Sequence, residues 1–348
     1  MSNLSGKTVK IEVAFSKIAA KQRARRGDLL WLILAGILLS ACHHGTQAIS
    51  NNISFKGKLS EYELFKGNLS DMVPAGNVVP LQIGSPLFTD YAEKQRLIKI
   101  PDGTKVVVAG EGLPVFPNGT LIAKTFYYSK SGNGGRKIIE TRLLLYSDQK
   151  WNAATYRWNA GQTDAELLTE GAIVPVYFED QLGKHRHLEY KIPTQKDCGT
   201  CHRSGDELVP LGPQARNLNI DIQVEGKSVN QLTYLINRGI FGHAAISGIA
   251  SLPDYRDSSQ ALTTRARAYL EMNCAHCHRE TGSAESTSLN LNYATPFEET
   301  GIAYNKENML IRMSTMGEYH MPKIGTTTRD EEGVRLIKEY IKSLHNDQ

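Results

Sequence analysis

Four of the five cysteines in this 348-residue chain fall into two pairs of equal spacing, each followed at once by histidine: CGTCH at 198–202 and CAHCH at 274–278. With five cysteines and ten histidines, a random chain of this length would contain C-x-x-C-H on the order of 0.002 times. The spacing suits covalent haem attachment. Two thiols three positions apart can form thioethers with the two vinyl groups of one porphyrin, and the next residue brings its imidazole to the iron. The chain is therefore expected to carry two covalently bound haem c groups. Cys198, Cys201 and His202 hold the first, with His202 as proximal ligand; Cys274, Cys277 and His278 hold the second, with His278 as proximal ligand. Zinc fits less well. The pairs of a four-cysteine zinc site are usually about 15–20 residues apart, whereas 72 residues separate Cys201 from Cys274, and zinc leaves both trailing histidines unexplained. A redox disulfide of the thioredoxin kind calls for a βαβ context, which the flanking sequence lacks. His276 is a spacer inside the second motif, expected to face solvent or a propionate.

A sixth ligand for each iron must come from elsewhere. For the second haem it is Met321 in HMPKIG (320–325), 43 residues after His278 in a loop bounded by Pro322 and Gly325. His320 is its rival. Met309, Met313 and Met316 recur at helical spacing and read as a core stripe. For the first haem, His243 follows His202 by 41 residues, nearly the same interval, in a glycine-rich loop. Met272, His185, His187 and Met72 are alternatives, as is no protein ligand at all. An open iron could bind peroxide or a small gas, whereas a six-coordinate one passes electrons.

These residues need elements to position them. From about 60 to 195 the chain alternates short β-branched and aromatic runs with turns, at 96–101, 104–110, 120–129, 136–147, 154–159, 172–178 and 187–193, which predicts an all-β sandwich or barrel. Trp151, Tyr156 and Trp158 read as core rather than as a binding patch. After 197 the period becomes helical, at 230–239, 263–278, 308–317 and 327–345, the last with Leu336, Ile337, Tyr340, Ile341 and Leu344 on one face. The expected fold class is α+β and multidomain: a β-rich domain (59–195) followed by two α-helical cytochrome c modules, 196–260 and 261–348, the latter class I-like.

The N-terminus has its own logic. KQRARRGD (21–28) precedes an eleven-residue apolar run, LLWLILAGILL (29–39), too short to span a bilayer and suited to a secretory signal. Leu39-Ser40-Ala41-Cys42 resembles a bacterial lipobox, which makes 1–41 a lipoprotein signal peptide, Cys42 the lipidated residue and 42–58 a polar tether. The overall charge of +4 comes from this leader: residues 1–41 hold seven basic and two acidic side chains, so the rest is close to neutral and no basic patch points to nucleic acid. Hydrophobic residues at 41% supply enough apolar material for substantial cores.

From about residue 60 onward the chain resembles a group of bacterial diheme c-type cytochromes, often lipoproteins, with a β-rich N-terminal part and two C-terminal CxxCH motifs. The resemblance rests on PLFTDYAEK (86–94), GTLIAKTFYY (119–128), ETRLL (140–144), YRWNAGQTDAEL (156–167), YKIPTQKDCGTCH (190–202), PLGPQARNLN (210–219), RARAYLEMNCAHCHRETG (265–282) and HMPKIG (320–325). It implies haem binding and electron transfer between redox partners of the cell envelope, with the lipid holding the protein to a membrane facing the periplasm, the outer membrane foremost. A diheme peroxidase with an open first haem is the alternative, and a β-domain acting as a binding module is a third reading.

Overall fold

The computed structural model describes residues 54–346, apart from 133–134, 181–182 and 244–245. The signal segment, Cys42 and the tether as far as residue 53 lie outside the described residues. The described residues belong to one compact unit. Among the described residues no helix is long and apolar enough to cross a membrane.

The dominant element is an eight-stranded antiparallel sheet. Six strands run in order as a meander: β1 (Val78–Pro80), β2 (Glu93–Lys99), β3 (Leu121–Ser131), β4 (Gly135–Ser147), β5 (Lys150–Trp158) and β6 (Ala165–Leu168). The hairpin of β7 (Ala172–Glu179) and β8 (His185–Ile192) branches from the far end of β3, where Ser131 pairs Phe178. Both faces of the meander are covered. Leu97, Ala123, Leu143 and Ala154 are register partners across β2 to β5 and pack under Leu59, Leu64 and Met72. The next row, Ile98, Ile122, Leu144 and Ala153, faces the opposite way. There Ile98 and Ile122 pack with Leu218, Leu232, Leu235 and Phe241. Burial on two sides explains apolar runs such as LLLY without alternation. Trp151, Tyr156 and Trp158 are buried, as core residues should be.

Residues after the sheet add α1 (Gln195–Cys201), β9 (Arg203–Ser204), β10 (Glu207–Leu208), α2 (Ala215–Leu218), β11 (Asp221–Val224), β12 (Lys227–Asn230) and α3 (Gln231–Asn237). Three longer helices follow: α4 (Leu262–Asn273), α5 (Ile302–Ser314) and α6 (Glu331–Asn346). Tyr269, Leu270, Ile302, Met313, Ile337 and Tyr340 share one core among them.

This corrects the expected fold class. The chain does not form a β-sandwich or barrel followed by two α-helical cytochrome c modules. A single large sheet dominates, and the six α-helices among the described residues are mostly C-terminal. The physical reason lies in 196–260. Its helices are seven, four and seven residues long, too short to enclose a core. Their apolar side chains are buried against the sheet instead. The stretch 104–110, expected as a strand, contributes only isolated bridges, Val106 with Phe241 and Val107 with Val115.

One loop ties the layers together. Residues 85–91, the core of the PLFTDYAEK stretch, reach three partners. Ser85 N donates to Asn217 Oδ1 at 2.9 Å, and Phe88 N donates to Asn273 Oδ1 at 2.7 Å. The buried Asp90 carboxylate accepts from Thr327 N, Thr327 Oγ1 and Thr328 N at 2.7, 2.8 and 3.1 Å. Asp90 and Tyr91 both take positive φ, 48° and 61°, conformations unfavourable for such residues and held by these contacts.

Candidate haem-binding site

The first motif is placed by a helix start. Thr194 caps α1, accepting from Asp197 N, while the Asp197 carboxylate accepts from Thr194 N and Oγ1. The single turn that follows sets Cys198 and Cys201 on one side, and His202 closes the helix with its N–H on Cys198 O at 2.9 Å. The His202 ring is fixed through Nδ1, 2.8 Å from Val209 O, which leaves Nε2 for another partner. Burial lowers the His202 pKa to about 4, so the ring is the neutral base that a metal requires.

The second motif follows α4 directly. His278 N donates to Cys274 O at 2.9 Å, and His278 Nδ1 lies 3.0 Å from the Thr287 hydroxyl, again leaving Nε2. Gly282 is required here, since a Cβ would collide with the Cys277 carbonyl.

Each motif lines a cavity. The first, with a volume of about 120 Å³, lies between the sheet and the motif. Ile122 and Leu144 of the sheet, Pro213 and the loop 322–326 line it together with Cys198, Cys201 and His202. The second, about 300 Å³, is lined by Cys274, Cys277, His278, Met313 and Met321. Walls that are largely apolar, a tethering pair of thiols and one imidazole with a free nitrogen fit a haem in each.

Met321 thus shares a cavity with His278. Its neighbour His320 does not line either cavity: His320 is buried, with Nδ1 on Thr315 O at 2.8 Å and Nε2 3.3 Å from Thr326 Oγ1. Met309 packs in the helical core and Met316 is exposed. In the first cavity the arrangement departs from expectation. His243 is exposed and is not among the lining residues. His185 and His187 are exposed on β8, and Met72 is buried under the far face of the sheet. The side chains that join His202 in its cavity are Met272, whose Sδ accepts from Asn217 Nδ2 at 3.5 Å, and His276. His276 is buried rather than solvent-facing, lines both cavities, and its Nδ1 has no hydrogen-bond partner. Only its position inside the second motif hinted at a role.

The two motifs meet. The thiols of Cys201 and Cys277 lie against each other, raising the pKa of Cys201 and lowering that of Cys277. Backbone contacts lock the join: Gly205 N donates to Thr281 O at 2.9 Å, and Arg279 donates to Arg203 O at 2.9 Å. Cys201, His276, Pro322 and Ile324 line both cavities. Among the described residues no three His, Cys, Asp or Glu side chains converge to hold a bare metal ion.

Comparison with family models, with curated proteins and with solved structures found no match to this chain.

Proposed function

We propose that this protein is a diheme c-type cytochrome of the bacterial group it resembles, passing electrons between redox partners of the cell envelope. The observation that carries the reading is the meeting of the two C-x-x-C-H motifs, each facing its own cavity with its histidine fixed through Nδ1. In such a protein Cys198 and Cys201 tether the first haem and His202 is its proximal ligand; Cys274, Cys277 and His278 do the same for the second. Met321 completes the second iron. Met272 or His276 closes the first, both being iron-binding groups in its cavity, and the exposed His243 drops out. The haems supply one-electron chemistry. The chain's own part is to bind them, exclude water, and hold the Cys201 and Cys277 edges of the two sites together, where bound haems would be close enough to exchange electrons. Two six-coordinate irons favour a carrier over a peroxidase, which needs an open one. The leader and Cys42 complete the proposal: export, lipid attachment at Cys42 and a periplasmic position on the outer membrane.

A pyridine haemochrome assay on the purified mature protein tests this. Two haems per chain are expected, and one or none refutes it. Ferric spectra are expected to be low-spin for both haems; a high-spin half that shifts with cyanide and turns over peroxide points to the enzyme instead.

A further inference from the structure

The cavity-facing side of the sheet carries charge where its neighbours are apolar. Arg96 on β2, Lys124 on β3 and Arg142 on β4 are direct register partners, and Thr155 on β5 ends the row. Side chains opposed in this way stand about 4.5–5.5 Å apart at Cβ, and like charges there destabilise the sheet. Two positions along, the same face holds Ile98, Ile122 and Leu144. A row of cations here therefore needs a cause.

Within this row only Arg142 has a counter-ion among the described residues. It grips the buried Glu140 with two hydrogen bonds of 2.9 and 2.5 Å, and the Tyr190 hydroxyl donates to the same carboxylate at 2.6 Å. Among the described residues Arg96 and Lys124 make no side-chain hydrogen bond or ion pair; Lys124 Nζ rests 4.9 Å from the Phe126 ring. Burial, with Arg96, Lys94 and Arg142 alongside, lowers the Lys124 pKa well below that of an ordinary lysine. Burial likewise brings Arg96 down to about 10. Both line the cavity of Cys198, Cys201 and His202. Like charges left without partners along a cavity wall repel one another, and an anion against the row offsets that repulsion.

We propose that Arg96 and Lys124, beside Arg142, form a carboxylate-binding row in the first cavity, and that the carboxylates are the propionates of the first haem. This rests on the haem reading above. The direction of the row agrees. Thr155 lies beside Cys198, one of the tethering thiols. Strand spacing then puts Lys124 about 10 Å and Arg96 about 14 Å across the sheet from that end. Vinyl and propionate groups leave different sides of the macrocycle, so a porphyrin tethered at Cys198 extends over the row toward its unpartnered cations.

The test is a redox titration of the purified holoprotein that resolves both haems, the first being the one whose spectrum survives Met321→Ala. Wild type, Lys124→Met, Arg96→Met and the charge-keeping Lys124→Arg are compared, each with and without succinate. A cation beside a propionate disfavours the ferric state. The first haem's midpoint potential should therefore fall in both methionine variants, stay near wild type in Lys124→Arg, and ignore succinate, while the second haem moves less. A potential that ignores all the variants, with no succinate binding by calorimetry, overturns the proposal. Succinate that binds wild type but not Lys124→Met, at unchanged potential, overturns the assignment to propionates and makes the row a site for a free carboxylate. The haem count on the same preparation separates the two readings: a chain without the first haem refutes the cytochrome, and calorimetry then decides the row alone.

Discussion

His320 and Met321 are adjacent, yet they have different tasks. His320 is spent on structure, with both ring nitrogens near partners in its own loop. Met321 faces the cavity of His278. Met321→Ala is expected to abolish the weak long-wavelength absorption band of methionine-ligated ferric haem while leaving the haem count at two; a band that persists assigns the ligand elsewhere. His320→Ala should keep the band and instead lower stability by about 1–3 kcal/mol, the usual penalty for stranding buried hydrogen-bonding groups, read by denaturant unfolding. That the motif residues and Met321 would line cavities was legible in the sequence, because a fixed cysteine–histidine spacing and a methionine in a Pro/Gly-bounded loop leave local marks. His276 was not, because a spacer in C-x-x-C-H carries no sign of which way its ring points; only the fold shows it buried and lining both cavities.

At the scale of elements, most strands and the four longer helical stretches were readable from period alone. The stretch 104–110 was misread because its valines satisfy a strand pattern while only Val106 and Val107 find bridging partners. The loop 85–91 illustrates what periodicity misses: it has no regular structure and holds three layers together. Asp90→Ala removes an acceptor from three donors on residues 327 and 328. It is expected to cost about 1–3 kcal/mol in urea unfolding, with Asp90→Asn losing less because it keeps an acceptor oxygen. Helix crossing gives a second test. A Cβ at Gly333 on α6 would overlap the ring of Tyr269 on α4, which is only 2% exposed. Gly333→Ala should therefore destabilise by about 1–3 kcal/mol through overpacking, read as a lowered thermal midpoint. An unchanged midpoint would mean that the two helices can separate freely.

Across the whole molecule, the sheet and the two C-x-x-C-H motifs pack as one unit. The first cavity takes its walls from both, and residues 203–205 and 279–281 join motifs that lie far apart in the chain. Expressed alone, residues 196–348 would expose Leu218, Leu232, Leu235 and Phe241, which are buried against the sheet in the full chain. Circular dichroism of that fragment is expected to show no cooperative melt, and a sharp transition would restore the idea of free-standing modules. The same layering answers what the β-rich part contributes: it forms a wall of the first cavity and carries the row of cations along it.

By itself the sequence determined which residues could do chemistry and at what spacing. The proposed thioether attachment needs two thiols and a histidine at fixed separation, and that pattern occupies five consecutive letters, twice. Strand and helix periods followed for the same reason, being local. Tertiary structure alone decided that the motifs share one site, that Met272 and His276 enter the first cavity while His243 stays outside, and that Arg96, Lys124 and Arg142 align. Each of these depends on register and on packing between segments tens of residues apart, where neither composition nor period carries information about which side chains come to face each other.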